Sequence, residues 1–356
     1  MKDCLSYIKE IKINWRPTRL HEVSLWFLGL ELNRRYYFRS ILMGIIRGGD
    51  TEYDDSKPTL AELAPRIEGT IASSLEANST ELKLSGKYYS TDEIVLLARS
   101  NQVSQVKVLD LEDNQIGDKA LKALRESTQL LKLEVLKLGI NFITDKGIKE
   151  WADSSSEVLK NLKSLSLSDN KLTDDSLAEF FKSSNFKKLE SLEIGWMEAG
   201  NKTAMAIGVS DAFPCLKKID LERSYIDSEG LCLLISGKIA ENLEELNFSA
   251  NKFGNEGAKI IAGTTNLKKL KTLNLSQNMI GDEGAKAIGT STQLTGVTHL
   301  YLGRNTFGPE GAREIHQTKT LTQLKTLVLQ EGVETTPDLV NYSRPELLRP
   351  EDPDLS

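Results

Sequence analysis

Aliphatic residues recur along most of this chain in one fixed frame, Leu-x-x-Leu-x-Leu-x-x-Asn-x-Ile. The clearest copies are Leu243-Glu-Glu-Leu-Asn-Phe-Ser-Ala-Asn251-Lys-Phe and Leu270-Lys-Thr-Leu-Asn-Leu-Ser-Gln-Asn278-Met-Ile. The anchor position is held by Asn114, Asn141, Asn170, Met197, Ser224, Asn251, Asn278 and Asn305, every interval being 27 residues except the 29 from Asn141 to Asn170. The same step taken outward reaches Lys87 and Gly332, so ten units are expected, with degenerate ends that must cover the core by other means. Within a unit the apolar positions change period. Leu246, Phe248 and Phe253 alternate as a short strand and its turn require, and Ala258 with Ile261, Ala285 with Ile288 and Ala312 with Ile315 follow at helical spacing. Each unit therefore predicts a strand, a turn, a helix and a return.

Two polar features support that reading. The anchors Asn114, Asn141, Asn170, Asn251, Asn278 and Asn305 follow the strand, where a side-chain amide can bond backbone groups of the turn; they are read as a structural ladder. Four positions later come Asp118, Asp145, Asp174, Asn201, Ser228, Asn255 and Asp282, helix-capping residue types, with Pro309 the exception. Gly257, Gly284 and Gly311 sit beside the helical Ala residues, where their cost in helix propensity implies close packing.

This frame is the leucine-rich-repeat signature. The run Ile-Gly-Asp-Glu-Gly-Ala at 280–285, with relatives at 116–120 and 253–258, resembles the ribonuclease-inhibitor-like subfamily of those repeats. The resemblance implies an α/β leucine-rich-repeat solenoid, a horseshoe with a parallel sheet on the concave face and α-helices on the convex face. It is specific for fold rather than function, because the same repeat serves inhibitors, immune sensors, Ran GTPase-activating proteins and secreted bacterial effectors.

The ends of the chain depart from the frame. Residues 1–48 carry nine Lys or Arg against four acids, with Tyr7, Trp15, Trp26, Phe27, Tyr36, Tyr37 and Phe38 interleaved; helices are expected near 3–13 and 20–46. This segment reads as a helical extension or as a targeting or binding piece suited to an acidic membrane surface. Residues 49–58 read as a linker and 59–78 as a half-repeat cap with Leu60, Leu63, Ile67 and Ile71 at helical spacing. The repeats run over 79–335, and 336–356 form a Pro-containing tail.

Net charge is −6 and pI about 5.4, against the basic stripe of a nucleic-acid binder. Three scattered cysteines, without Cys-rich flanks, point to a cytoplasmic protein, in a host cytosol if the chain is a delivered effector; Cys215 and Cys232 are expected as small core residues. No transmembrane segment, signal peptide, cofactor or metal motif is expected, and no catalytic motif is found.

The function then falls to the outward positions of the strands, six, four, two and one before the anchor. These offer acids at Asp110, Glu112, Glu193, Asp220, Glu222 and Glu245, serines at 164, 166 and 168, and then Trp196, Arg223, His299, Tyr301 and Arg304. A non-enzymatic module that holds a basic protein partner on the concave face is expected. Trp196 is either an interface anchor or packing around a turn distorted by Gly195 and Gly200. The alternatives are an inhibitor of a basic enzyme or a Ran-type GTPase-activating protein, although the latter resemblance implies a long acidic C-terminal region that the short tail does not supply.

Overall fold

A computed structural model describes residues 58–329; the expected elements within 1–48, most of the linker and the 336–356 tail lie outside them. Helix α1 (Leu60–Ala77) comes first. Ten three-residue strands follow: β1 (Glu81–Lys83), β2 (Val108–Asp110), β3 (Val135–Lys137), β4 (Ser164–Ser166), β5 (Ser191–Glu193), β6 (Lys218–Asp220), β7 (Glu245–Asn247), β8 (Thr272–Asn274), β9 (His299–Tyr301) and β10 (Thr326–Val328). Nine helices link them in turn: α2 (Thr91–Leu97), α3 (Asp118–Arg125), α4 (Asp145–Asp153), α5 (Asp174–Phe180), α6 (Asn201–Val209), α7 (Ser228–Ile235), α8 (Gly254–Gly263), α9 (Asp282–Gly289) and α10 (Pro309–His316).

The strands form one parallel sheet in chain order. Its register is the sequence period made physical: Leu82, Leu109, Leu136, Leu165, Leu192, Ile219, Leu246, Leu273, Leu300 and Leu327 lie side by side, all buried. Neighbouring strands sit about 4.8 Å apart and packed helices about 8–10 Å apart, so a coil with a strand on one side and a helix on the other must curve with the sheet inside. The fold is thus the expected leucine-rich-repeat solenoid. Helix α1 covers its first edge. A capping box between Thr59 and Glu62 starts it, and Leu63, Ile67 and Ile71 turn inward while Leu60 stays exposed.

The Asn residues form the expected ladder. The Asn141 amide group donates to the carbonyls of Leu111 (3.0 Å), Leu138 (3.1 Å) and Gly139 (3.0 Å), and its Oδ1 accepts from the Ile116 N–H at 3.0 Å. One side chain therefore satisfies backbone groups of its own turn and of the preceding coil. Asn114, Asn170, Asn251 and Asn305 repeat the arrangement.

The capping series requires a correction. Asp118, Asp145 and Asp174 are the first residues of their own helices and cap the helix of the next coil instead. Asp118 accepts from the backbone N–H and hydroxyl of Thr144 at 2.9 and 2.7 Å, Asp145 does the same to Thr173, and Asp174 accepts from Gly200 N–H and Thr203 N–H. Asn255 and Asp282 continue the relay to Gly281 and Gly284, and to Gly308 and Gly311. The residue type is right for the chemistry, because free helix N–H groups need an acceptor, but stacking brings the neighbour's N–H groups within reach. Glycine at 284 and 311 follows from this. A Cβ on Gly284 would lie 2.8 Å from Asn255 Oδ1, and one on Gly311 2.6 Å from Asp282 Oδ1.

Replacing Asn141 with Ala strands three carbonyls and one N–H in a buried turn, which should cost roughly 2–4 kcal/mol. Asp174→Ala, at a partly solvated cap, should cost about 1–2 kcal/mol. Urea-unfolding midpoints of the full chain measure both, and the Asn variant is expected to fall further.

Candidate interaction surface

The register that stacks the leucines also lines up the outward residues. Four before each anchor, the row across β1 to β10 reads Lys83, Asp110, Lys137, Ser166, Glu193, Asp220, Asn247, Asn274, Tyr301 and Val328. The row two before the anchor places Glu112, Gly139, Ser168, Gly195 and Glu222 on successive coils. Two carboxylates thus flank a floor of two glycines and a serine. They stand four strand spacings apart, about 19 Å.

The expected acids separate into two kinds. Asp110 lies 3.9 Å from Lys137, Glu245 pairs with Lys218 at 2.5 Å, and Asp220 accepts the Asn247 amide at 2.7 Å. Glu193 is exposed. Glu112 and Glu222 are half-buried and have no cation within 4 Å among the described residues. Burial pushes the Glu112 carboxyl up; Lys137 opposes this, and Asp110 and Glu193 reinforce it. Burial also pushes the Glu222 carboxyl up, Asp220 adds to the rise, and a hydrogen bond from Trp196 and the charge of Arg223 work against it.

Trp196 belongs to this group. The Arg223 guanidinium sits 4.1 Å from the centre of its ring, and its side chain bonds Glu222. Gly195 is required beneath it, since a Cβ there would lie 2.8 Å from the Glu222 carbonyl and 3.0 Å from Asp220 Oδ1. The turn is not distorted. The residue one before the anchor has positive φ in unit after unit: Asp113 (51°), Ile140 (54°), Asp169 (55°), Trp196 (58°), Arg223 (49°), Ala250 (56°), Gln277 (57°) and Arg304 (54°). Among the described residues each strand exit passes through the left-handed region, which turns this residue toward the rim.

Sequence reasoning missed the other part of the rim. One position past the anchor, Tyr88, Tyr225 and Met279 also take positive φ and are 39%, 65% and 62% exposed. Ile140 (41% exposed) and the half-buried Trp196 add apolar surface along the same strand exits, interspersed with exposed charged residues such as Asp113, Asp169 and Lys252. Reading one column further in the repeat frame would have found them, because a large apolar residue next to the anchor has no inward role. Four other expectations change or separate. Ser166 is buried, its hydroxyl 3.5 Å from Glu112 Oε1, and is not part of the outer surface. Cys215 is exposed rather than a core residue, and Cys232 is half-buried. His299, Tyr301 and Arg304 share the face but lie on the β9 coil, three strands from β6 and away from the acidic floor. The His299 ring meets the Thr298 hydroxyl at 2.8 Å.

Among the described residues no three His, Cys, Asp or Glu side chains are grouped to hold a metal, and no helix is long and apolar enough to cross a membrane.

Comparison with known proteins finds the repeat in the sequence. Five segments, 106–124, 158–181, 240–262, 266–289 and 294–315, match the leucine rich repeat family. No curated protein matches the chain. Among solved structures, an internalin from Listeria monocytogenes is 21% identical with a TM-score of 0.39, over 78% of this chain and 91% of that one. A TDR receptor is 16% identical with a TM-score of 0.37, over 74% and 45%. A plant peptide hormone receptor, RGFR1 in complex with RGF2, is 14% identical with a TM-score of 0.33, over 67% and 45%. The chain spans about half the length of each of these two receptors.

The raised Glu222 carboxyl gives a prediction with a definite sign. A carboxyl whose folded pKa is above its unfolded value holds its proton longer in the folded state, so stability falls as pH rises through that window. Glu222→Gln should therefore raise the unfolding free energy at pH 7, by less than about 1 kcal/mol given solvent screening. The difference from the parent chain should close once the pH drops below the ordinary glutamate range, a crossover that thermal melts across pH resolve.

Proposed function

We propose that this protein is a binding module of the ribonuclease-inhibitor-like repeat type, whose sheet face holds a protein partner through a basic surface. Binding, rather than turnover, is the activity proposed. The observation that carries the reading is the meeting of two features on one sheet: half-buried carboxylates at Glu112 and Glu222 with no cation within 4 Å among the described residues, and apolar residues at the strand exits, exposed at Ile140, Tyr225 and Met279 and half-buried at Trp196. A lysine or arginine brought to either carboxylate repays a desolvation already incurred by folding. The apolar residues at the strand exits then supply the anchors that acids alone lack. Across the ten strands the face is about 43 Å long, room for roughly 800 Å² on this side of an interface. Asp110, Glu193, Asp220 and Glu245 add long-range steering of a basic partner rather than tight contacts. Helical returns in every complete unit favour the ribonuclease-inhibitor-like type. The exposed thiol of Cys215 suits a reducing, cytoplasmic setting.

The test is affinity capture with the full chain, followed by titration of each captured protein against variants. Glu112→Lys with Glu222→Lys should weaken the true partner by about a hundredfold and flatten its salt dependence, and Trp196→Ala should weaken it about tenfold. Unchanged affinity in both variants removes the sheet face as the binding site.

A further inference from the structure

The cap relay changes at one coil, and the Asn ladder, already interrupted where Met197 and Ser224 replace Asn, changes again there. Wherever else the next anchor is Asn, the residue two past an anchor donates its N–H to that Asn Oδ1: Tyr89 to Asn114, Ile116 to Asn141, Ile143 to Asn170, Ile226 to Asn251 and Ile280 to Asn305, all at 2.8–3.1 Å. Phe253 is the equivalent residue facing Asn278, and that bond is absent. Asn278 is fully buried, and its Oδ1 has no hydrogen-bond partner. The buried hydroxyl of Ser276, two residues before, is also unsatisfied.

The relay stops at the same coil. Asp118, Asp145, Asp174, Asn201, Asn255 and Asp282 each accept an N–H from the start of the next helix or the residue before it. Ser228 accepts none from Gly254. The Gly254 N–H instead donates forward, to the Asn278 backbone carbonyl at 2.9 Å, with φ at +58°. Helix α8 then begins three residues past its anchor, whereas its neighbours begin four past theirs. The local sequence does not explain this, since Phe253-Gly-Asn-Glu-Gly-Ala258 matches Ile280-Gly-Asp-Glu-Gly-Ala285. The difference lies in what the preceding coil offers. A hydroxyl reaches at the first junction, where Thr91 Oγ1 accepts from Gly117 N–H at 2.9 Å; the β-branch of Thr fixes its rotamer, and Ser228 lacks that branch.

We infer that the coil containing Gly254 is a hinge in the array. The strand ladder is complete through it, Ile219, Leu246 and Leu273 keeping register, so the sheet serves as the pin. On the helix side the following coil stays tied, with Asn255 capping Gly281 and Gly284, and Asn266 Nδ2 still reaches the Ile235 carbonyl at 2.9 Å; the opening lies at the start of α8, where the bond to Ser228 of the preceding coil is missing. Opening there changes curvature between an acidic panel on β2–β6 and a neutral panel on β8–β10 that bears Asn274, His299 and Tyr301. A partner touching both panels fixes their angle. A partner held by one panel leaves it free. The inference rests on the fold alone and holds whatever the sheet face binds.

Hydrogen exchange on the full chain tests it, read by mass spectrometry over matched segments. Amides 253–257 are expected to exchange at least about tenfold faster than amides 280–284 and 307–311. Ser228→Asp, which supplies the missing acceptor, should restore their protection. A second readout does not depend on exchange. Gly254→Ala forces a side chain into the left-handed region and should lower Tm by about 2–4 °C in the parent chain, and by less than half of that when combined with Ser228→Asp. Equal protection of the three segments overturns the hinge. An alanine penalty unchanged by Ser228→Asp overturns the bond reversal on which it rests.

Discussion

Each coil of this protein leaves polar backbone groups at its turn that the coil cannot satisfy for itself. The neighbouring coil supplies the partner. Asn141 serves the carbonyl of Leu111 and the N–H of Ile116, both in the preceding coil. Asp145 serves Thr173 in the coil that follows. Hydrophobic burial makes coils stack, but these bonds fix how they stack, because a buried polar group left unpaired costs about 1–3 kcal/mol, more than the roughly 0.8 kcal/mol that one buried methylene gains. Stability is therefore a property of junctions more than of units, as expected for an array in which each repeat touches only its neighbours.

The same arrangement leaves the outward rows of the sheet free of structural duty. Inward leucines and anchor asparagines do the structural work, so the outward rows can vary without cost to the core. That is why Lys137, Ser166, Glu193, Asp220 and Asn247 can occupy one row of a sheet whose next row inward is almost entirely Leu. The left-handed strand exit then presents one residue per coil at the rim, and Trp196 stacks there against Arg223 from the next coil. Charge on the floor and apolar area at the strand exits are separate products of one periodic backbone.

Whatever depends on period was legible in the sequence. The ten strands, the inward leucines, the Asn ladder and the outward acids all follow from a 27-residue step combined with a strand's alternation. Whatever depends on distance between coils was not. Asp118 has the residue type of a cap, and nothing in the chain shows that Thr144, 26 residues on, lies nearer to its carboxylate than its own helix amides do. Ser166 is outward by parity yet lies buried beside Glu112, which reaches over Gly139. Tyr225 and Met279 escaped because the exit turn, rather than the strand, exposes them. The usual burial of cysteine misleads at Cys215, whose place in a connecting segment leaves it exposed.

The central claim is that a macromolecule is held on the sheet face and along its strand-exit rim, with the helices facing away. Hydroxyl-radical footprinting of the full chain, with and without a captured partner, tests this most directly, because Trp, Tyr and Met are among the most reactive side chains and occur on both sides of the solenoid. The account predicts protection at Trp196, Tyr225 and Met279 on binding, with Met205 of α6, 47% exposed on the helix side, oxidised as before. Protection at Met205 with the three rim residues unchanged would contradict it.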